Sequence, residues 1–268
     1  MRNSTRLLGL ACVLLAGVLP AQAATLVADY RFESAANLGL DSSTFGNDAV
    51  ASGGVTQVAG RNATTQAAFF DGTTGVITRA AGLAGYDGRP GFSFVAWVQL
   101  DAATDGFDGV VSQDAGGCCT HRLLLDPAHQ PYINVGAHDD RFFAAPQPVG
   151  AWFHIALVGE DVGANRTGRV YVNGVEVAGS PQNFTGNLLD SSALRTYLGT
   201  GEAGNVHLIR GALDDVQIYD GALTAEQVRA LFENGSLTLG RSVPATDTLA
   251  LALLAVLVLA AAWLALRR

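Results

Sequence analysis

The hydrophobic positions of this chain fall mostly into short runs of period two separated by Gly, Asn and Asp, and an apolar stretch without alternation closes it off at each end. A period of two puts successive side chains on opposite faces of a strand. In "TLVADYRF" the alternation places Leu26, Ala28, Tyr30 and Phe32 on one face. In "FSFVAWVQL", Phe92, Phe94, Ala96 and Val98 share one face while Val95 and Trp97 share the other, which predicts an inner strand covered on both sides. "WFHIALVGE" repeats that arrangement. In "RVYVNGVEV", Asn173-Gly174 lies between two alternating runs, the sequence form of a type I′ hairpin, whose two turn residues both need positive φ. The period changes once, in "ALTAEQVRALFENG": Thr224 caps a helix, Gln227 completes a capping box, Val228, Leu231 and Phe232 form its apolar stripe, and Asn234-Gly235 ends it. Many strands with one short helix predict an all-β antiparallel sandwich.

The two ends read as addresses. Arg2 and Arg6 precede an apolar run from Leu7 to Leu19 and then Ala21-Gln22-Ala23, the order of a secretory signal peptide over residues 1–23. Leu249 to Leu266 is unbroken apolar sequence followed by Arg267-Arg268, and roughly 17 to 25 such residues span a bilayer. This predicts a transmembrane helix with the arginine pair in the cytoplasm and residues 24–241 outside. The chain thus divides into a signal peptide, one domain over 24–241, and a C-terminal segment over 242–268.

Composition narrows the partners. All 16 basic residues are Arg; 12 of them lie in residues 24–241 against 23 Asp and Glu, a net charge of about −11. That balance argues against nucleic acid, whose phosphates need a positive footprint. The only two cysteines after the signal peptide are adjacent, Cys118 and Cys119 in "GGCCTHRLLLDP". Adjacent thiols have neither the spacing usual for zinc thiolates nor that of a Cys-x-x-Cys redox pair. In an oxidising compartment they form a vicinal disulfide, stay free, or bond to another chain. One expectation is that this turn, with His121, Tyr132, His138 and Asp139, forms a ligand-binding rim; the other is a turn staple without functional consequence. His154 alternates with Trp152 and Ala156 and reads as a satisfied structural histidine. With Trp97 and Trp152 on buried strand positions, Tyr86, Phe107, Tyr132, Phe142 and Phe143 are the rings available as sugar platforms.

The blocks "LVADYRFE", "DSSTFGNDAV", "AAFFDGTTGVITRA", "FSFVAWVQL", "VGAWFHIALV", "RVYVNGVEV" and "GALDDVQIYDGALTAEQVRALFENG" together resemble the laminin G-like (LamG-like) members of the concanavalin A-like lectin/glucanase superfamily. The resemblance covers Thr25 to Gly235 and implies a jelly roll of two antiparallel sheets. It also implies a structural calcium ion, because Asp214 matches a calcium-binding position of related sandwiches; Asp41 and Asn47 would join it, with Glu33 as a weaker fourth ligand. The plainer account is an Asx-turn at Asp41 and backbone hydrogen bonds at Asp214. The tail "SVPATDTLALALLAVLVLAAAWLALRR" resembles exosortase-type sorting domains (IPTL/PEP-CTERM-like), although Val243-Pro244-Ala245-Thr246 departs from the Ile-Pro-Thr-Leu form. That implies a processing enzyme of the exosortase type, membrane anchoring until cleavage, and then the cell surface or extracellular matrix. A plain membrane anchor is the alternative.

Such a superfamily holds glycanases, lectins and adhesive modules, so fold does not give function. Retaining glycanases need two carboxylates ~5 to 5.5 Å apart. The Glu-x-Asp-x-x-Glu strand of laminarinase-like members is missing, and the six Glu at 33, 160, 176, 202, 226 and 233 include no pair close together on one strand. No Gly-x-Ser-x-Gly elbow occurs either. The expectation is therefore not an enzyme but an exported, surface-sorted module that recognises a glycan or glycoprotein, with calcium assisting, in surface attachment or matrix assembly. The alternatives are a polysaccharide hydrolase or lyase using an Asp pair, and a structural matrix protein that binds copies of itself.

Overall fold

A computed structural model describes residues 24–62, 64–101, 106–114, 120–136, 139–203 and 206–237. The signal peptide, the Cys118-Cys119 pair, His138 and the C-terminal sorting segment lie outside the described residues. No described helix is long and apolar enough to cross a membrane.

Sixteen strands and one helix follow in chain order among the described residues: β1 (Thr25–Tyr30), β2 (Val50–Ser52), β3 (Val55–Ala59), β4 (Gln66–Asp71), β5 (Val76–Arg79), β6 (Gly91–Leu100), β7 (Asp108–Asp114), β8 (His121–Leu125), β9 (Pro131–Val135), β10 (Arg141–Phe142), β11 (Phe153–Val162), β12 (Asn165–Val172), β13 (Val175–Glu176), β14 (Gln182–Thr185), β15 (Arg195–Leu198), β16 (Arg210–Asp220) and α1 (Ala225–Asn234). They form two antiparallel sheets, the sandwich that the alternation predicts. The first runs β13-β12-β11-β6-β16-β4-β3, with β14 beside β12 and β1 beside β16. The second runs β10-β9-β8-β7-β15-β5-β2.

β6 shows why the pattern works. Phe92, Phe94, Ala96 and Val98 enter the core between the sheets, where they meet Leu123, Ile133, Val135 and Leu198 of the second sheet. Each buried aromatic of this kind contributes about 2 to 3 kcal/mol. Val95, on the other face, joins Ala156, Val158, Tyr171 and Tyr219 under Val228 and Leu231 of α1. The helix thus covers the outer face of the nine-stranded sheet. Its capping box at Thr224 and Gln227 is formed, and Gly235 ends it at φ 71. Asn173 and Gly174 adopt φ 48 and 77, as a type I′ turn requires.

Two irregularities depart from strict period two. β1 carries a bulge between Leu26 and Ala28, so Leu26 packs with the helix-side cluster while Ala28 and Tyr30 enter the core. β16 carries another between Asp214 and Gln217, with Asp215 at φ 45. β6 runs along one side of β16, and the other side is shared by β4 at its first half and β1 at its second.

Candidate functional site

The outer face of the seven-stranded sheet is where parity gathers polar side chains. In β8 Leu123 and Leu125 enter the core, and in β9 Ile133 and Val135 do so; the intervening Arg122, Tyr132 and Asn134 therefore point away from it. The register sets Arg122 opposite Asn134 and Leu124 opposite Tyr132, while Phe142 of β10 lies opposite Tyr132.

Arg122 is the hub. Its Nε donates to Asn134 Oδ1 at 2.6 Å, Nη2 to the Tyr132 hydroxyl at 3.1 Å, and Nη1 to Glu202 Oε2 at 3.3 Å. Asp140 Oδ1 sits 3.7 Å from Nη2 and accepts from Asn134 Nδ2 at 2.6 Å. The guanidinium is only 3% exposed, whereas Asp140 is half exposed. Burying a guanidinium is tolerable only when its charge and donors are matched, and two carboxylates, an amide and a phenol do that here. Glu202 is held from the far side of the face, in the turn after β15, where Thr200 Oγ1 donates to the Glu202 carbonyl at 3.0 Å and the Ala203 N–H donates to Asp114 at 3.1 Å.

Aromatic rings border this network. Tyr132 and Phe142 stack at 4.6 Å, Phe107 approaches Tyr132 at 5.4 Å, and His207 lies 4.9 Å from Phe107. Phe142 is 55% exposed, so the stack presents a ring to solvent. Burial pushes the Tyr132 phenol up, and it therefore stays a protonated donor. Burial likewise pulls His207 below its ordinary value and keeps the imidazole neutral.

The residues expected at a rim fare differently. Tyr132 does sit on this face, but Asp139 turns toward Arg166, 3.5 Å away, and Asp140 takes the place at Arg122. His121 is not at a rim: it is fully buried, with its ring 4.2 Å from Phe92. Parity is the reason, since His121 and Arg122 are neighbours in β8 and only one of them can face outward. Burial lowers the His121 imidazole to about 3. Of the proposed platforms, Phe107, Tyr132 and Phe142 adjoin the site, while Tyr86 and Phe143 are buried.

The four residues expected to bind calcium are not brought together, and no group of three or more His, Cys, Asp or Glu among the described residues is arranged to hold a metal. Asp41 and Asn47 do meet. The Asp41 carboxylate, however, accepts from the Asp29, Ser43 and Asn47 N–H groups and from the Ser43 hydroxyl, an Asx-turn with its lone pairs spent. Asn47 Oδ1 accepts from the Ala84 N–H. Glu33 accepts from the Gln66 N–H, and Asp214 from the N–H groups of Arg61 and Asp215. A cation needs six to eight free oxygens, so these residues do not fit one.

The sequence profile of a laminin G domain of the concanavalin A-like lectin/glucanases superfamily matches residues 70–229. The chain belongs to this superfamily. No curated protein matches it by sequence. Among solved structures, this lectin/glucanase-like chain is similar to domain 4 of AbnA, a GH43 extracellular arabinanase of Geobacillus stearothermophilus, in complex with arabinotriose: 25% identity and a TM-score of 0.54, over 78% of this chain and 98% of that one. It is also similar to Trypanosoma rangeli sialidase, at 20% identity and a TM-score of 0.50, over 68% of this chain but 30% of the sialidase. The HCR/D W1238A mutant matches at 12% identity and a TM-score of 0.57, over 79% of this chain and 52% of that one. The chain thus spans about a third of the sialidase and half of the HCR/D protein. These neighbours correct the expectation that the protein is not an enzyme. Two of the three are glycosidases or parts of one, and the fold is shared by enzymes and binders.

Proposed function

We propose that the chain recognises a neutral glycan on the outer face of the seven-stranded sheet. The observation that carries this reading is the exposed Phe142 ring stacked on Tyr132, whose hydroxyl is tied to a charge-balanced guanidinium. Sugar rings offer apolar C–H faces to aromatic rings and hydroxyls to fixed polar groups, and this ledge supplies both. The Arg122 charge is offset by Asp140 and Glu202, and the surrounding domain is acidic, which disfavours uronates and sialic acids. The arabinotriose complex of the arabinanase domain supports a carbohydrate as ligand.

Export through residues 1–23 and sorting through residues 242–268 belong to the same reading and give it a setting in surface attachment or matrix assembly. So does a disulfide between Cys118 and Cys119, which fall in sequence between β7 and β8; intact mass before and after reduction measures it directly. A second reading, action on a polysaccharide, is favoured by the glycosidases among the structural neighbours.

The test is an array of neutral and acidic oligosaccharides probed with the full chain and with Phe142→Ala. Binding to neutral glycans that the variant loses supports the ledge. Equal binding by both proteins, or a preference for acidic glycans, overturns it. Release of reducing ends from any polysaccharide on the same panel adds the second reading to the first.

A further inference from the structure

A second concavity lies on the opposite side of the sandwich. On the outer face of the nine-stranded sheet, α1 covers the apolar centre, and beyond its first turn the sheet continues as a polar row: Glu160 of β11, Arg169 and Tyr171 of β12, and Glu176 of β13. Between this row and the helix is a cavity of about 450 Å³. Ligand sites run from about 300 to 1,000 Å³, so the space suits one or two sugar units.

The chemistry of the row is mixed. Arg169 bridges the two glutamates, with Nη2 3.3 Å from Glu160 Oε1 and Nη1 3.5 Å from Glu176 Oε1. Glu176 Oε1 also accepts from the Ser180 hydroxyl at 2.7 Å. The other oxygen of each glutamate and the Tyr171 hydroxyl have no hydrogen-bond partner among the described residues. Burial pushes the Tyr171 phenol up to about 12, so it offers a donor at neutral pH. Pro90, Ala222, Leu223 and Ala225 add apolar wall. The side chains are ion-paired and none is an isolated charge, so a ligand of alternating hydroxyls and C–H faces gains from both kinds of lining. An anionic ligand meets four carboxylates, Glu160, Asp161, Glu176 and Asp220, against the two guanidiniums of Arg89 and Arg169, which already pair with Asp161 and with the glutamates.

We infer that this cavity is a second, independent glycan site, taking one or two units of an uncharged sugar against Arg169, Tyr171 and the glutamate pair. It goes beyond the ledge on the other sheet and gives the module two ligand-binding faces. A domain with sites on opposite faces cross-links two glycan chains, or two segments of one.

Equilibrium dialysis of the full-length protein against xylotriose, with trigalacturonic acid as the anionic control, distinguishes the two sites. Ala225→Trp fills the mouth of the cavity from an exposed helix position, and Phe142→Ala removes the ledge. The native protein is expected to bind two xylotriose molecules, each single variant one, the double variant none, and trigalacturonic acid neither site. Glu176→Gln, which keeps the shape, is expected to weaken the cavity site about ten-fold, a loss of about 1.4 kcal/mol, at an unchanged melting temperature. It serves as the readout if Ala225→Trp fails to fold. One bound xylotriose, abolished by Phe142→Ala and untouched by Ala225→Trp and Glu176→Gln, overturns the cavity and leaves the ledge standing. One bound molecule abolished only by Ala225→Trp supports the cavity and overturns the ledge. No neutral binding at all overturns both.

Discussion

The rings of Tyr132 and Phe142 lie parallel to within 6°, their centroids 4.6 Å apart, although they belong to different strands. The pair exists because β10 places Phe142 directly opposite Tyr132 on the face away from the core. Phe142 is more than half exposed, so its removal costs the fold little, about 1 kcal/mol at most. Affinity at the ledge should fall by more than about ten-fold, enough to take the site out of the binding stoichiometry, because the platform contributes on the order of 1 kcal/mol beyond the apolar area it also buries. Denaturant midpoints and binding isotherms of Phe142→Ala check the split. A variant that loses stability and affinity in equal measure would make the ring structural.

Arg122 is expected to behave in the opposite way. Arg122→Met removes donors from Asn134, Tyr132 and Glu202 and takes the guanidinium charge away from both Asp140 and Glu202. Asp140 is half exposed and can turn to water, which moderates the penalty. A loss of about 2 kcal/mol follows from hydrogen bonds to a charged group. Urea denaturation at neutral pH measures it. Arg122→Met combined with Glu202→Gln should recover part of the loss, whereas strictly additive losses would show that the two side chains act independently.

How far the sequence discloses this molecule depends on the distance between interacting residues. The β6 strand, the Asn173-Gly174 turn and the capped helix are legible because each is specified by residues adjacent in the chain. The bulge after Leu26 is not, since it answers to the partner strand β16 and leaves no local signature. The Arg122 network is hidden for a similar reason. Arg122 and Glu202 are 80 positions apart, and Arg122 lies between His121 and Leu123, so everything turns on which parity faces outward. The alternation of Leu123, Leu125, Ile133 and Val135 contains that answer; choosing His121 as a surface ligand overrides it. Asp41 shows the converse, because its turn is readable from "DSSTFGN" while the saturation of its carboxylate depends on Asp29 arriving from β1.

Asp214 makes stability fall as the solution becomes less acidic. Burial first, and the Asp215 charge second, raise its carboxyl from 3.8 to about 6. A carboxyl whose folded pKa lies above the unfolded value binds its proton more tightly in the fold. Its contribution is complete below pH 4 and is lost as pH rises through 6, to a total of about 3 kcal/mol. Asp214→Asn removes the titration and keeps an acceptor for one of the two N–H groups, since Arg61 and Asp215 donate to different carboxylate oxygens; the acceptor lost is a penalty that does not change with pH. Its stability relative to the native chain should climb between pH 4 and 7. Parallel stability curves over that range would contradict the assignment.

His154 titrates in the opposite sense, one strand away. Asp214 and His154 both pair with Trp97, from β16 and β11 respectively, and Arg61 lies 4.6 Å from the Trp97 ring. The imidazole packs edge-on to Trp97, 5.4 Å between centroids, and neither of its nitrogens finds a hydrogen-bond partner; it is buried and structural, but not satisfied. Burial, and then the Arg61 charge, lower it to about 3. A histidine depressed in this way stabilises nothing above its unfolded value of 6.5, where both states are neutral. As pH falls from 6.5 toward 3 only the unfolded chain takes up the proton, and stability drops by about 4 kcal/mol. His154→Leu removes the proton site and two unsatisfied nitrogens while keeping an apolar body against Trp97 and Phe232. The variant should match or exceed the native chain at pH 7, and its acid-unfolding curve should show one proton fewer taken up between pH 6.5 and 3. Equal proton uptake by the two proteins would mean that the imidazole is already charged, or reaches water, in the folded state.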